Sequence, residues 1–404
     1  MEFRIERSAL AEAVAWAARS LPTRSPVPVL GGLLLDARDG RLRISGFDYE
    51  ASARIEVPAE TLSAGQVLVL GRRLLDICRV LPEAMVECAL EGSRFTMEGG
   101  GTRFGLSTLS TADYPTLPGL PAVRGMVDAA EFATAVAQVV TAAGRDDSLP
   151  VLTGIQLRLD GESMTLAASD RYRYAVRTVP WKPEAVGSEA VGSGVVEAMG
   201  SDAVEVVVPG RRLTEISRAL AKSGLMRIGL NTGGGKGGSS GEGGSGGSGG
   251  GLIAFEGAGM RTTLRLLEGR LPRYDKLFTL DSPAVAVTQR EALADAVRRV
   301  AVVAEPNSPI RLDFSARGTV LLQAGYEDDI ASQQLAATLT GADDMAVAFN
   351  PVYLLEALTS FNASHVRLEL LGPGQRTLLS GAADGDDTAL EDHRHLLMSV
   401  RQLS

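Results

Sequence analysis

The feature that most constrains this chain is an internal repeat, because a sequence that repeats itself folds as a series of equivalent modules. The strand-like segment QVLVL leads into GRRLLDICRVL at Gly71, and VEVVV leads into GRRLTEISRAL at Gly210. Glycine, three arginines, two leucines and an isoleucine recur at matched positions. A third pair, MAVAFN and PVYLLEALTSF, keeps the same register from Pro351 but lacks the arginines. The sequence therefore predicts three tandem copies, the third degenerate.

Each copy also opens with a short strand and an amphipathic helix, so it contains two helix-plus-sheet half-units. Predicted N-terminal caps of these opening helices are Ser8 and the capping-box pairs Asp128/Glu131 and Thr288/Glu291. Two alternating strands then follow, with tight turns predicted at Asp39-Gly40, Asp160-Gly161 and Arg317-Gly318. This pattern predicts an α+β fold with antiparallel sheets.

The predicted domains span residues 1–124, 125–282 and 283–404. A glycine- and serine-rich tract at 233–251 interrupts the middle domain and favours a flexible loop between two strands. A length of 404 residues agrees with two or three domains, and 45% hydrophobic with 22% charged residues is typical of a globular protein.

Composition also limits the cellular compartment and the kinds of ligand that are expected for this chain. There is no apolar run of the roughly 18–20 residues that a membrane span requires, and the N-terminal sequence does not resemble a secretory signal. Cys78 and Cys88 have no metal or redox spacing, so a reducing cytoplasm is expected. The net charge of -9 is opposite to that of a protein binding nucleic acid through its whole surface, so any such contact must be local.

Motifs for catalysis or cofactor binding are weak. Glycine spacings in the tract at 233–251 lack a strand-to-helix context, and Lys236 is followed by glycine instead of serine or threonine. His393 and His395 alternate on a predicted terminal strand, where a surface or interface role is favoured over metal binding. The acidic run at 384–387 favours a solvated turn over a calcium loop. The sequence predicts a scaffold without catalytic residues, metal or cofactor; an enzyme acting on nucleic acid is the alternative from another class.

Arginines recur on the repeated helices of an otherwise acidic chain. One interpretation is an ordinary solvated helix face. The other is that the repeated helices share a positive face against which a polyanion lies.

Together with these helices, further motifs resemble the bacterial DNA polymerase III sliding clamp family, that is, the beta subunit. They are LPVLTG at 149–154, ASDRYRYAVR at 168–177, RFGLSTLSTADYPTLP at 103–118, EGRLPRYDKL at 268–277 and HLLMSVR at 395–401. The resemblance spans essentially the whole chain. It implies that two subunits join head to tail into a closed ring around double-stranded DNA, with each subunit forming half of the ring. The implied partners are the replicative polymerase, the clamp loader and repair polymerases, which bind through short peptide motifs, with no membrane partner.

The resemblance also assigns residues to three surfaces. The implied DNA-facing residues are Arg24, Arg72, Arg73, Arg79, Arg145, Arg211, Arg212 and Arg298. The implied dimer contact joins Phe104 and Leu106 to Val302 and Val303, although the same apolar residues are consistent with a plain core. The implied partner-peptide cleft comprises Leu152, Ser169, Arg171, Tyr172, Arg173, Tyr174, Pro272, Lys276, Leu277, Asn350, Tyr353, Arg376, Leu396, Leu397, Met398, Ser399 and Val400.

Four cleft residues depart from the family pattern. Tyr174 replaces an aliphatic residue, Lys276 an arginine, and Arg376 a small residue or proline, while Ser399 interrupts a Met-Pro pair. Larger or charged groups would reshape or narrow the groove. An alternative function is therefore a paralogous clamp that gives self-resistance to a cleft-binding antibiotic.

Overall fold

A computed structural model describes residues 1–22, 27–184, 203–233, 250–305, 308–326, 329–383 and 389–401. The first third contains β1 (Glu2–Glu6), α1 (Arg7–Ala17), β2 (Gly32–Arg38), β3 (Arg41–Phe47), β4 (Ala51–Pro58), β5 (Glu60–Ser63), β6 (Gly65–Leu70), α2 (Gly71–Val80), β7 (Met85–Glu91), β8 (Arg94–Gly99) and β9 (Thr102–Leu109).

The middle third contains β10 (Val123–Asp128), α3 (Ala129–Val139), β11 (Gly154–Asp160), β12 (Ser163–Ser169), β13 (Arg173–Pro180), β14 (Lys182–Pro183), β15 (Val204–Pro209), α4 (Gly210–Leu220), β16 (Leu225–Asn231), β17 (Leu252–Gly257) and β18 (Met260–Arg265). The last third contains β19 (Ala284–Gln289), α5 (Arg290–Val300), β20 (Ile310–Ser315), β21 (Thr319–Tyr326), β22 (Asp329–Thr340), β23 (Asp344–Phe349), α6 (Pro351–Ser360), β24 (His365–Leu370), β25 (Arg376–Ala382) and β26 (Ala389–Met398). Short 3-10 helices lie at Ala18–Ser20, Pro28–Gly31, Val140–Ala142, Pro150–Thr153 and Ala301–Val303.

The predicted repeat is present in the element order. The helices α2, α4 and α6 begin at Gly71, Gly210 and Pro351, each directly after a strand, as their shared register predicts. The three turns also form as predicted: Gly40, Gly161 and Gly318 have φ angles of 71°, 56° and 92°, the left-handed region that glycine adopts without a steric cost.

The chain forms two compact units, and each contains strands from more than one repeat. Unit 1 comprises 1–130, 182–191 and 215–266, and its 14-stranded sheet has the order β14-β10-β16-β17-β18-β4-β3-β2-β6-β9-β8-β7-β1-β5. The pairing of β18 with β4 joins strands of the middle third to strands of the first. Helix α1 packs on β4 and α2, burying Leu10, Val14 and Trp16.

Unit 2 comprises 131–181, 192–214 and 267–404, and its 12-stranded sheet has the order β15-β11-β12-β13-β26-β25-β24-β19-β22-β21-β20-β23. Here β13 pairs with β26, from Arg173 opposite Leu397 to Arg177 opposite His393. Helices α5 and α6 contact each other and cover a core that includes Phe314, Phe349 and Leu354. Among the described helices, none has the length and apolar content needed to cross a membrane.

Two of the three predicted caps are wrong. Helix α1 begins one residue before Ser8, and its N-cap Glu6 makes no side-chain capping bond. Helix α5 is capped by Gln289, again without such a bond, because the Thr288 hydroxyl donates to the Ala336 carbonyl across the sheet instead. Asp128 does cap α3, since its Oδ1 accepts from the Ala130 amide at 3.0 Å.

The two cysteines are buried and free. Cys78 lies in α2 and Cys88 in β7. Burial raises the pKa of the Cys78 thiol to about 12 and that of Cys88 still further, so both thiols stay protonated and unreactive at neutral pH.

The expectation of a surface or interface role for His393 and His395 is wrong, because β26 pairs with a strand on each side and Phe361 and Ser360 cover the face that carries these residues. His393 is 3% exposed and His395 0%. The Val176 carbonyl lies 3.2 Å from His393 Nδ1 and can only accept, so Nδ1 carries the proton of the neutral ring. The Ser360 hydroxyl lies 2.8 Å from Nε2 and 2.7 Å from the Ala357 carbonyl, so its one hydrogen is shared between these two acceptors. Among the described residues, neither ring nitrogen of His395 has a hydrogen-bond partner.

This burial predicts sensitivity to acid. Burial lowers the pKa of His393 to about 4, whereas the unfolded chain takes up the proton near pH 6.5. The unfolded state therefore binds more protons as pH falls from about 6.5 to about 4, and His393 costs the folded state roughly 3 kcal/mol over that range. Above pH 6.5 this contribution is absent.

Urea unfolding of wild type and His393→Gln at pH 7 and pH 4.5 measures the effect, since the variant cannot titrate. We expect the variant to lose markedly less stability than wild type between these pH values. His365→Gln, at a partly exposed position in β24, is the matched control and should behave as wild type. Equal acid sensitivity of His393→Gln and wild type would contradict the assignment.

Candidate functional site

A cavity of about 360 Å³ opens in unit 2 between β13, the segment before β11 and α6. It is lined by Ala143, Gly144, Arg145, Asp146, Leu149, Leu152, Asp170, Arg171, Tyr172, Arg173, Val352, Tyr353 and Glu356. Five of these, Leu152, Arg171, Tyr172, Arg173 and Tyr353, belong to the cleft that the sequence predicts. A concave, largely apolar surface with charged groups among its lining residues is suited to a short peptide.

The floor of the cavity is a buried arginine held by two carboxylates. The Arg173 side chain is 3% exposed; its Nε donates to Asp170 Oδ2 at 2.8 Å and its Nη1 donates to Glu356 Oε2. Glu356 also accepts from Arg145 at 2.6 Å, and the Arg145 side chain is 80% exposed at the rim. The guanidinium of Arg173 is therefore fixed, whereas Arg145 is available to a ligand after modest rearrangement.

Two tyrosines form the aromatic wall of the cavity. The Tyr353 ring lies over the Arg173 guanidinium, 4.4 Å from its central carbon, and stacks on Tyr172 at 6.4 Å between centroids. Asn350 fixes this ring indirectly, because its side chain caps α6 by accepting from the Val352 amide at 2.9 Å. Burial raises the pKa of Tyr353, so its hydroxyl is neutral at physiological pH.

Alternation along β13 divides the predicted cleft between two faces of the sheet. Consecutive residues of a strand face opposite sides, so Tyr174 points away from the cavity that Arg173 floors. It enters an apolar cluster with Leu271, Phe278, Leu378 and Leu396, against which the predicted cleft residues Leu152 and Leu277 also pack. Pro272, Lys276 and Arg376 lie at the margin of this cluster. The Tyr174 hydroxyl donates to the Pro272 carbonyl, and the Arg376 guanidinium donates to the carbonyls of Lys276 and Leu277.

The other predicted cleft residues have different positions. Ser169 is buried, and its hydroxyl donates to the Arg173 carbonyl at 2.8 Å. This bond closes a turn in which Arg171 takes a left-handed φ of 81°. On β26 and the residues after it, Met398 is 40% and Val400 39% exposed, whereas Leu397 is 1% exposed and packs in the core of unit 2, and Ser399 is 5% exposed.

The predicted dimer residues lie at an open strand edge and a helix end. Within the described strands, β9 bonds to β8 along Thr102–Ser107, while its pairing with β6 covers only Thr108 and Leu109. Phe104 and Leu106 of this strand are half-buried and line a second cavity, in unit 1, together with Leu70, Ile77 and Val80. In unit 2, Val302 is 80% exposed and Val303 packs against the core.

The predicted DNA-facing arginines are mostly exposed. Arg72, Arg73 and Arg79 lie on α2, Arg211 and Arg212 in the first turn of α4, and Arg298 near the end of α5. Arg79 pairs with Asp76 at 3.4 Å and Arg298 with Asp295 at 2.6 Å. Arg145 lies at the cavity rim described above, and Arg24 is outside the described residues.

Sequence reasoning missed Asp170 and Glu356, the two acidic partners of Arg173. Asp170 stands within the ASDRYRYAVR motif, and Glu356 follows Tyr353 by three residues on α6, a spacing that places both on one helix face. The helical spacing could have indicated Glu356. Over the described part of the chain, no group of three or more His, Cys, Asp or Glu side chains is arranged to hold a metal ion.

Three family models match the chain in succession. They describe the N-terminal, central and C-terminal domains of the DNA polymerase III beta subunit and match residues 1–118, 126–273 and 276–393. Together they account for nearly all of the chain.

Individual relatives agree with these models. The chain is 46% identical to the beta sliding clamp of Streptomyces coelicolor over 402 residues, covering 99% of each protein. It is 38% identical over 401 residues, again covering 99% of each, to the beta sliding clamp homolog GriR of Streptomyces muensis. A crystal structure of the Pseudomonas aeruginosa sliding clamp bound to griselimycin has the same fold, with a TM-score of 0.84, 24% identity and complete coverage of both chains. The chain therefore belongs to the DNA polymerase III beta subunit family, the bacterial sliding clamps.

Proposed function

We propose that two copies of this chain close head to tail into a ring around duplex DNA and tether the replicative polymerase to its template. The observation that carries this proposal is the succession of three clamp domains, with 46% identity to a beta sliding clamp across the whole chain. The ring acts as a non-catalytic tether, dividing into domains near 1–124, 125–282 and 283–404. Its compartment is the cytoplasm, with which two buried free thiols agree.

Primer extension on a long single-stranded template tests this function. Adding the protein and a clamp loader to the cell's replicative polymerase should lengthen the product made in one binding event. Product length that does not change would count against the tether, and catalytic turnover that persists in highly purified clamp alone would revive an enzymatic role.

The proposed dimer contact uses the open edge of β9. Its unpaired backbone can continue a sheet, and Phe104 with Leu106 supplies apolar area beside Leu70 and Val80, which are 43% and 68% exposed. The complementary surface contains Val302 and Val303 of the second copy. A head-to-tail contact joins two different surfaces, here the β9 edge of one copy and the Val302–Val303 surface of the other. An isologous contact would instead join one surface to the same surface of the second copy.

The proposed contact between the arginines and DNA is electrostatic and weak. A ring is retained by encirclement, so the arginines need only centre the duplex, and a strong grip on phosphates would impede sliding. The pairing of Arg79 with Asp76 and of Arg298 with Asp295 moderates their positive charge in agreement with this requirement. We assign Arg24, Arg72, Arg73, Arg211 and Arg212 to the same role. Arg145, which the family resemblance implies to be DNA-facing, is assigned instead to the rim of the peptide site, where it pairs with Glu356.

The salt dependence of binding to short linear duplex DNA checks the role of α2. Each arginine that contacts a phosphate releases counterions, so replacing Arg72, Arg73 and Arg79 with alanine should make the negative slope of log K against log salt shallower by about 2 to 3. The matched control replaces Arg227, Arg270 and Arg317, three exposed arginines outside the helices, and should leave the slope unchanged. Equal slopes for the two triple variants would contradict this assignment.

The cavity above Arg173 is the proposed site for peptide segments of the polymerase, clamp loader and repair polymerases. Apolar groups at Leu149, Leu152 and Val352 supply burial, while Arg145 and Arg171 at the rim can pair with carboxylates of the peptide. The wider set assigned to this cleft runs through Pro272, Lys276, Leu277 and Arg376 to Met398 and Val400.

A second candidate function is a paralogous clamp that substitutes for an ordinary one in the presence of a cleft-binding antibiotic. It is favoured by similarity to a clamp homolog, GriR, and by Tyr174, Arg376 and Ser399 in the cleft. Equal affinity of griselimycin for this protein and for the Streptomyces coelicolor clamp would remove this candidate.

A further inference from the structure

The segment 271–280 is tied to the sheet beneath it by side chains from three strands. Arg376 Nη1, from β25, donates to the carbonyl oxygens of both Lys276 and Leu277 at 2.9 Å. The Tyr174 hydroxyl, from β13, donates to the Pro272 carbonyl at 3.0 Å. At the start of the segment, the buried Gln156 Oε1 of β11 accepts from the Leu271 amide at 2.9 Å. The segment is thus fixed along its length.

The space between this segment and the sheet is filled. Tyr174 is 3% exposed, Leu396 5% and Phe278 7%. The rings of Tyr174, Tyr274 and Phe278 contact one another with centroid distances of 5.7 to 6.0 Å, two of the three pairs meeting edge to face. Burial raises the pKa of Tyr174, so its hydroxyl remains a donor at all physiological pH values. A ligand side chain could enter this space only by displacing one of these rings.

The residues after β26 are tied in the same manner. The Ser399 amide donates to the Gln375 carbonyl at 3.0 Å, and the Ser399 hydroxyl lies 3.0 Å from the Gly372 carbonyl and 2.9 Å from the Gln375 amide. A proline at this position would have neither the amide hydrogen nor the hydroxyl. The turn before β25 and the end of β26 are therefore held together beside Arg376, whose Cα pairs with Met398.

We propose that Tyr174, Arg376 and Ser399 are specificity determinants that close one half of the cleft from within. This proposal rests on the proposed peptide site. A ligand whose apolar anchor fits the open cavity of about 360 Å³ above Arg173 is accepted. A ligand that needs a pocket between the segment 271–280 and the sheet is excluded, because it must break the backbone hydrogen bonds of Arg376 and Tyr174 and expel a buried ring.

Griselimycin, which is bound to the Pseudomonas aeruginosa clamp, is a suitable probe for the closed half. The opening variant combines Tyr174→Leu with Arg376→Ser, removing the ring and both donors. Isothermal titration should give an affinity for griselimycin at least tenfold higher for this variant than for wild type. A gain below tenfold overturns the proposal.

A second variant guards against misfolding of the first. The variant Arg376→Ser with Ser399→Pro leaves the buried rings in place and removes only hydrogen bonds at the margin. Its affinity for griselimycin should be at least threefold higher than that of wild type. If the first variant does not fold, a smaller gain in this second variant overturns the proposal. Tyr174→Phe is the matched control, because it keeps the ring and loses only the hydrogen bond to the Pro272 carbonyl. It should gain less than threefold in affinity, and a gain of threefold or more contradicts occlusion by the ring.

Retention of wild-type protein on circular DNA separates this proposal from the proposed function. Wild type that is retained, combined with no gain in the variants, refutes the specificity determinants alone. Wild type that is not retained refutes the clamp function whatever the variants bind.

Discussion

Replacing Phe104 and Leu106 together with aspartate should convert the proposed dimer to a monomer of 42.3 kDa. The proposed contact would bury two carboxylates in an apolar surface without a partner for either, which costs several kcal/mol. We expect the dimer dissociation constant to rise at least a hundredfold, as measured by sedimentation velocity over a range of protein concentrations.

Leu225→Asp is the control for this experiment. Leu225 is 52% exposed on β16 and has no assigned role in assembly, so its charge should leave the dimer intact. A double variant at Phe104 and Leu106 that sediments like wild type at every concentration would contradict the head-to-tail contact at β9.

Replacing Arg173 with alanine should lower the free energy of unfolding of unit 2 by about 3 to 5 kcal/mol. The change leaves Asp170 and Glu356 without the guanidinium that both contact, and the Asp170 side chain is only 12% exposed. Removing one partner from a buried ion pair is strongly destabilising, because the remaining charge is desolvated without compensation.

Urea unfolding measures this loss, with Arg270→Ala as the control. Arg270 is exposed, so its replacement should change stability by no more than about 0.5 kcal/mol. If Arg173→Ala cost no more than this control, the cavity floor would not be the rigid element that we describe.

Local features of the fold were predictable because they depend on neighbouring residues. Strands leading into Gly71, Gly210 and Pro351 fixed three helix starts, and glycine at the turn positions fixed three hairpins. The caps at Ser8 and Thr288 were predicted wrongly, because Ser8 lies inside α1 and Thr288 precedes the N-cap Gln289, so neither hydroxyl stands at the N-cap position.

The repeat pattern does not predict which strands of different repeats pair with each other. The repeat indicates equivalent modules, but it does not indicate that β18 pairs with β4 and β13 with β26, which makes two continuous sheets out of three repeats. The repeat likewise does not indicate that Phe361 and Ser360 cover His393 on β26, which is what buries it.

The candidate site was predictable only in part for the same reason. Family motifs brought Arg173 and Tyr353 together, and the structure adds Glu356, which meets Arg173 from 183 residues away. Alternation along β13 then separates Arg173 from Tyr174, although the two are adjacent in the sequence and were assigned to one cleft. The partition into an open cavity and a filled half requires the positions of segment 271–280 and of β25.

Encirclement of DNA is tested most directly by loading the labelled protein onto a nicked circular plasmid, isolating the complex, and then linearising the DNA with a restriction enzyme. The account predicts that the protein stays on the circle through a wash in 1 M salt, where the Debye length is only about 3 Å, and leaves once an end is created. Protein that dissociates from the intact circle in salt, or that remains on the linear molecule, would contradict it.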